Sequence, residues 1–343
     1  MPSLKPYVRG FSLVELMVAL AIGLVLLTLL ATVFANSSRS QKEITMAAQQ
    51  VENGRYAIEL LSEDLRHAGF YGPYFSLPAP TALTDPCSLA LADLRTGIAL
   101  PVQGYDSPAS SPLSCIDDDN FVAGTDILVI RRVSTVTTAA GSLVNNLVYL
   151  QSTASPNVAT NPVIDLGSSA SSFNLQIRNG SGANVAAPIR KLETHIYFIA
   201  PCSTPTGSGN TKCTSTDDGG TPIPTLKRLE LSVDSSGNTA MVTYPLVEGI
   251  QNLQFEYGID TDSDGGPNGS STTDPGAAPN WQNVMAGRLY LLARNTQPSA
   301  GYIDNKTYNL GGTTVSAPGD NYRRHLYTAA VRVKNQSERR DTP

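Results

Sequence analysis

The chain is 343 residues long, 41% hydrophobic and 15% charged, with a formal net charge of −5. At roughly 150 residues per domain this length allows about two folded units, and the acidic balance leaves no basic field for nucleic acid as the main partner. A charged fraction under the roughly 25% of ordinary soluble domains, with 28 Gly and 23 Pro, suits a strand- and turn-rich body outside the cytosol better than a helical enzyme.

Residues 1–10 carry two positive charges, Lys5 and Arg9, and no negative one. Residues 11–35 follow as 25 positions with a single charge, Glu15. About 20 apolar residues cross the hydrocarbon core, so this run predicts a spanning helix. The basic leader would stay cytoplasmic, placing the remainder in the periplasm of a bacterium. A secretory signal would have its apolar run before the cut. Here the small residue Gly10 lies between leader and run, so a cut there keeps the run. A mid-bilayer carboxylate costs about 2.5–3.5 kcal/mol, less near the interface, and Glu15 therefore calls for a functional explanation.

Gly10-Phe11-Ser12-Leu13-Val14-Glu15, followed by Leu16-Met17-Val18-Ala19-Leu20-Ala21-Ile22, resembles the type III signal of type IV pilins and type II secretion pseudopilins. The resemblance implies cleavage by prepilin peptidase between Gly10 and Phe11 and methylation of the new Phe11 amine. It also implies that Glu15 meets the amino terminus of a neighbouring subunit during assembly. An ammonium and a carboxylate that are both desolvated gain by pairing. An ordinary single-span anchor is the plain alternative for the apolar run.

Beyond residue 35, Ile44, Ala47, Val51, Gly54, Ile58, Leu61, Leu65 and Ala68 recur at spacings of three and four, an amphipathic stripe. One helix over 11–67 is expected, with a membrane half and a half packed on a body, ending at Gly69 and Gly72-Pro73. His67 reads as a helix-terminus cation.

Residues 70–125 are rich in Pro, Ser and Ala and read as a long, partly ordered excursion. Strands are predicted at 126–131, 146–150, 173–177, 195–200, 228–233, 253–257, 287–294 and 327–333, with Ser/Gly-rich linkers at 166–172, 179–184, 203–220 and 264–279. No repeat of 20–50 residues supports a solenoid or propeller. Cys87, Cys115, Cys202 and Cys213 contain no C-x-x-C, and only three histidines accompany them, so zinc is poorly supplied. Two disulfides in an oxidising compartment fit better. Three connectivities are open, and the sequential one, Cys87–Cys115 with Cys202–Cys213, is expected.

Glu256-Tyr257-Gly258-Ile259-Asp260-Thr261-Asp262-Ser263-Asp264-Gly265, Leu291-Leu292-Ala293-Arg294, Tyr322-Arg323-Arg324 and Val331-Arg332-Val333-Lys334-Asn335 are similar to the PilW family of minor pilins. That resemblance implies a pilin-like α+β fold, a long N-terminal helix packed on a mainly antiparallel β body. The expected organisation is a leader at 1–10, a transmembrane and N-methylation segment at 11–35, an amphipathic continuation at 36–69 and a body at 70–343. It further implies a role in type IV pilus assembly or priming. The implied partners are other minor pilins, the major pilin, prepilin peptidase, the inner membrane and the pilus assembly platform. A J-like pseudopilin of type II secretion and a pilus-borne adhesin for surface sugars are the alternatives.

Asp260, Asp262 and Asp264 before Gly265 have the spacing of calcium loops. The twelfth position is Ser271 instead of a bidentate glutamate, with Asp274 further along as a substitute. A solvated acidic turn is the competing reading, as it is for Asp117-Asp118-Asp119-Asn120. Arg131-Arg132 and Arg323-Arg324-His325 read as a basic surface or wet strand faces, and Trp281 as part of a sugar platform or as core. No enzyme signature such as G-x-S-x-G, H-E-x-x-H or a P-loop occurs, so no enzymatic activity is expected.

Overall fold

The computed structural model describes residues 10–74, 77–153 and 161–341; Lys5 and Arg9 of the leader lie outside them. Helix α1 spans Leu13–His67. The chain forms two compact units, the first ending at Gln49 and the second starting at Gln50, so the boundary falls inside α1.

In the first unit, Leu13, Leu16, Leu20, Leu24, Leu27 and Phe34 are all exposed. An 18-residue window of α1 reaches a mean hydropathy of 2.7, long and apolar enough to cross a membrane. A helix apolar all round is one that lipid or a large core surrounds.

The second unit continues with α2 (Leu91–Gly97), β1 (Val102–Tyr105), β2 (Ile127–Val133), β3 (Val148–Gln151), β4 (Val163–Leu166), β5 (Gln176–Arg178), β6 (Asn184–Ala186) and β7 (Ile189–Ala200). The short turn of helix α3 (Asp217–Gly220) precedes β8 (Thr225–Val233), β9 (Thr239–Glu248), β10 (Ile250–Ile259), α4 (Ala278–Gln282) and β11 (Val284–Arg294). β12 (Tyr308–Leu310), β13 (Thr313–Val315), β14 (Arg324–Arg332) and α5 (Lys334–Asp341) complete it.

Seven strands form one antiparallel sheet in the order β1-β2-β7-β3-β4, with β8 pairing β7 and β9 pairing β8. β7 is the seam, pairing with β2 through Leu192 to Tyr197, with β3 through Ile189 to Lys191 and with β8 through His195 to Ala200. A second antiparallel sheet has the order β10-β11-β14. The main core lies between the sheets and α1. It joins Ala57, Leu61 and Leu65 to Leu128, Ile130, Tyr197 and Leu226 on one side and Leu253, Phe255, Leu289 and Val331 on the other. The opposite face of the large sheet packs Ile127, Val129, Ile196 and Phe198 against Leu113, Ile116 and Phe121. Coverage on both faces explains why β2 reads as an unbroken apolar run rather than an alternation.

α1 stops where Gly69 adopts a positive φ of 73°, the left-handed closure that glycine permits. Gly54 is required by packing: a Cβ there would stand 2.2 Å from the Tyr327 ring.

Several expectations need correction. Of the stripe on α1, Ile44, Ala47 and Val51 are exposed, and burial is carried by Gly54, Leu61, Leu65 and Ala68, with Ala57 buried beside them. The segment 70–125 is no loose excursion: Leu94, Ile98, Leu100 and Val102 are buried, and it supplies α2 and β1. Its polar composition hid short elements that bury only a few apolar residues, Leu94 in α2 and Val102 in β1 among them. The strand expected at 173–177 is confined to β5, because Phe173 follows a 3-10 turn and packs on Tyr149. β4 and β9 were not anticipated; β4 has four residues and β9 is half-exposed and interrupted by Pro245.

Candidate functional site

At the start of α1 the Ser12 backbone N–H donates to Glu15 Oε2 at 3.0 Å. The Glu15 carboxylate thus sits in the first turn, where it satisfies an orphan amide and complements the helix dipole. Gly10 and Phe11 precede the helix in exposed chain, and nothing lies within 4 Å of a Cβ built on Gly10. The structure therefore places the expected cleavage residues in exposed chain just ahead of the helix whose first turn holds Glu15.

In the second unit, α1 and the large sheet enclose a cleft of about 530 Å³ lined in part by Tyr56, Glu59, Glu63, Asp64, Arg132 and Arg228. Its floor is a polar network. Arg132 Nε donates to Asp64 Oδ1 at 2.6 Å, Tyr197 Oη donates to Asp64 Oδ2 at 2.8 Å, and His195 Nδ1 lies 2.7 Å from the same oxygen. Arg132 also pairs with Glu193 at 2.7 Å, and Glu230 with Lys191 and Arg228 at 2.7 and 2.9 Å. Burial pushes the Asp64 carboxyl up, but His195, Arg132 and Tyr197 together hold it well below the usual carboxylate range. A carboxylate–imidazole pair can orient a base, yet no serine, threonine or cysteine is hydrogen-bonded to His195 among the described residues. The network fastens α1 to β2 and β7. Sequence reasoning missed it, although Asp64 lies three residues after Leu61 of the apolar stripe, a spacing that puts this carboxylate on the inward face.

Asp260, Asp262 and Asp264 do converge, with one oxygen of each within 4.8 Å of the others. The acceptor sites of Asp260 are already used, while Asp262 and Asp264 are exposed. Asp260 Oδ1 accepts the Asp262 and Ser263 amides at 3.2 and 2.6 Å, and Oδ2 accepts the Gly265 amide at 3.1 Å and Arg340 Nη1 at 2.9 Å. Asp262 accepts Asn268 Nδ2 at 3.0 Å, Asp264 accepts the Gly266 amide at 2.8 Å, and Asp274 the Gly276 amide at 2.8 Å. A cation drawing on Asp260 would compete with Arg340, which brings the counter-charge from α5. Burial raises the Asp260 carboxyl, but Arg340 and the loop amides win and lower it.

The remaining candidates are placed as follows. Cys87 is joined to Cys115 and Cys202 to Cys213, and none is free. Asp117 and Asp119 pair with Lys212, while Asn120 is buried and accepts from Lys227 Nζ at 3.0 Å. Burial pushes the Lys227 ammonium down to about 8. The two arginine clusters divide: Arg323 and His325 are exposed, whereas Arg131 and Arg324 are buried. Arg131 is buried on Leu100 O, Thr84 and Gln103, and Arg324 is paired with Asp304 at 3.0 Å and Asp320 at 2.6 Å. Trp281 is core, its ring 4.8 Å from that of Tyr257 and edge-on to it, so it offers nothing to a sugar.

Residues 213–335 match the family model described as Type IV Pilus-assembly protein W, and residues 5–31 match the Prokaryotic N-terminal methylation motif. No curated protein and no solved structure matches the chain.

Proposed function

We propose that this chain, a PilW-type minor pilin with a type IV prepilin signal, is cut between Gly10 and Phe11 by prepilin peptidase and methylated on Phe11. Its apolar helix then holds it in the inner membrane, with the second unit in the periplasm, until it joins other pilins in a filament and takes part in assembly or priming. The observation that carries this reading is the coincidence of two matches at opposite ends of the chain, one on the first turns of α1 and one across β8 to β14. The matched families are structural components of pili, and the Asp64 network that ties α1 to β2 and β7 supports a structural role. The match to the pilus-assembly family favours the pilus over a type II secretion pseudopilin, and the burial of Trp281 speaks against a sugar platform there.

The test lies at Glu15. In a lone anchor this carboxylate brings only cost, and Glu15→Leu inserts as well or better. In a filament it pairs with the Phe11 amine of an adjacent subunit, and removing it strands a desolvated charge. Glu15→Leu is therefore expected to be processed and inserted normally but to be depleted at least several-fold in sheared pili. Normal incorporation overturns the pairing role.

A further inference from the structure

A sheet edge presents unpaired N–H and C=O groups that natural proteins blunt with short strands, proline, bulges or a covering segment. Here every long or exposed edge but one carries such a device. β1 and β4, the ends of the main path through the large sheet, have four residues each. β9 contains Pro245, and its pairing with β8 is broken by a register shift at Leu226/Lys227. β10 is capped: Asp126 donates its amide to Leu253 O at 2.9 Å, its carboxylate accepts the Phe255 amide at 2.7 Å, and Tyr257 bridges Thr272. β5, β6, β12 and β13 have three residues each.

β14 has none of these. It is nine residues long, pairs only with β11 among the described residues, and keeps an unshifted register from Arg324↔Arg294 to Arg332↔Ala286. It holds no proline, and its middle is Thr328-Ala329-Ala330, with Thr328 and Ala330 exposed. One face is already committed: Tyr327 lies over Gly54 and donates to Gln50 O, so the strand is held rigid and extended.

We propose that β14 is a docking edge that takes an extended, acidic segment of a different protein chain as an added strand. Main-chain hydrogen bonds would supply the affinity and the flanking charges the choice of partner. Arg323, His325, Arg332 and Lys334 are exposed along the edge and its flanks; β14 itself holds no carboxylate, and Glu338 in the following helix stands 3.9 Å from Lys334. A second copy of β14 added antiparallel would set Arg332 against the Arg323–His325 end, and like charges facing each other across strands destabilise. A partner strand carrying Asp or Glu reverses that sign. This inference adds a contact to the pilin reading; its whole-cell crosslink is read independently of that reading, and its filament exchange rests on it.

The test places a photo-crosslinking benzoylphenylalanine at Thr328 of the full chain, in cells that make pili, with crosslinks mapped by mass spectrometry in whole cells and in sheared filaments. The expected product joins position 328 to an extended segment of another protein with Asp or Glu within four residues. Its yield is expected to fall about tenfold in Lys334→Glu. Amides of alternate residues between 325 and 331 are expected to exchange at least tenfold more slowly in the filament than in the detergent-solubilised chain. Crosslinks to a second copy, to lipid or to a helix overturn the proposal, as does free exchange of all β14 amides. If the chain is in sheared pili but β14 stays open, the edge proposal falls and the pilin reading stands. If a partner strand is found in whole cells but the chain is absent from pili, the reverse holds.

Discussion

Asp64 serves three donors from two strands of the large sheet, so its loss would leave His195 and Arg132 facing a void at the base of the cleft. Breaking a buried pair by removing one partner typically costs about 3–5 kcal/mol. Asp64→Ala should lower the unfolding free energy of the detergent-solubilised chain by an amount in that range, read by urea denaturation; a change under about 1 kcal/mol would refute the fastening role. Asp126 works in the opposite direction. Burial pushes its carboxyl up to about 7, against the lowering effect of the Ser107 and Phe255 amides and with a further push from Asp106. Its unfolded value is near 3.9, so between these values the folded form holds a proton that the unfolded form has released. Its contribution is full below about pH 4 and is lost as pH rises to about 7, at no more than about 1.4 kcal/mol per pH unit. Asp64, held low, titrates below that window and leaves it flat. Thermal melts from pH 4 to 7 should therefore fall more steeply in the parent than in Asp126→Asn; equal slopes would show that Asp126 is ionised throughout.

The elements that build the second unit differ in how plainly they announce themselves. β2 and β10 were legible because Val, Ile and Leu runs or a strict alternation require an extended, buried strand. α2, β1 and β4 were not, since four to seven residues carry too little pattern to outweigh the surrounding Pro and Ser. Asp64 and His195 were invisible as a pair because 131 residues separate them and only the packing of α1 on β7 brings them together. The sequential disulfides were chosen over two alternatives and match the structure. Cys202–Cys213 closes a polar loop with a sequence separation of 11. Constraining a loop of that size removes unfolded-state entropy worth about 2–3 kcal/mol. Cys202→Ser with Cys213→Ser should lower the thermal midpoint by several degrees while leaving far-UV dichroism unchanged. An unchanged midpoint would mean the loop is equally ordered without the bridge.

For the whole molecule, one helix ties two units with different surroundings into a single element. In the proposed processing, Gly10 is the last residue of the leader. Gly10→Val adds a branched side chain at the residue before the cut, and cells expressing prepilin peptidase should accumulate the uncut precursor, seen as a larger band on a gel. Mature-sized protein at the parent's level would show that the cut lies elsewhere. The bond from Gln50 Nε2 to Ala293 O at 3.0 Å and to Arg323 O at 2.8 Å has a consequence for how the chain reaches this state. The helix that is synthesised first docks on strands that are synthesised last. Contacts so distant along the chain must close long loops before they are rewarded, which makes such topologies slow to fold. Until β11 and β14 arrive, Ala57, Leu61 and Leu65 have only part of their final surroundings, and the nascent chain is open to aggregation and proteolysis. A stop codon just before β14 should thus be far more damaging than the loss of so short a tail suggests, because it unseats the first helix as well as the last strand.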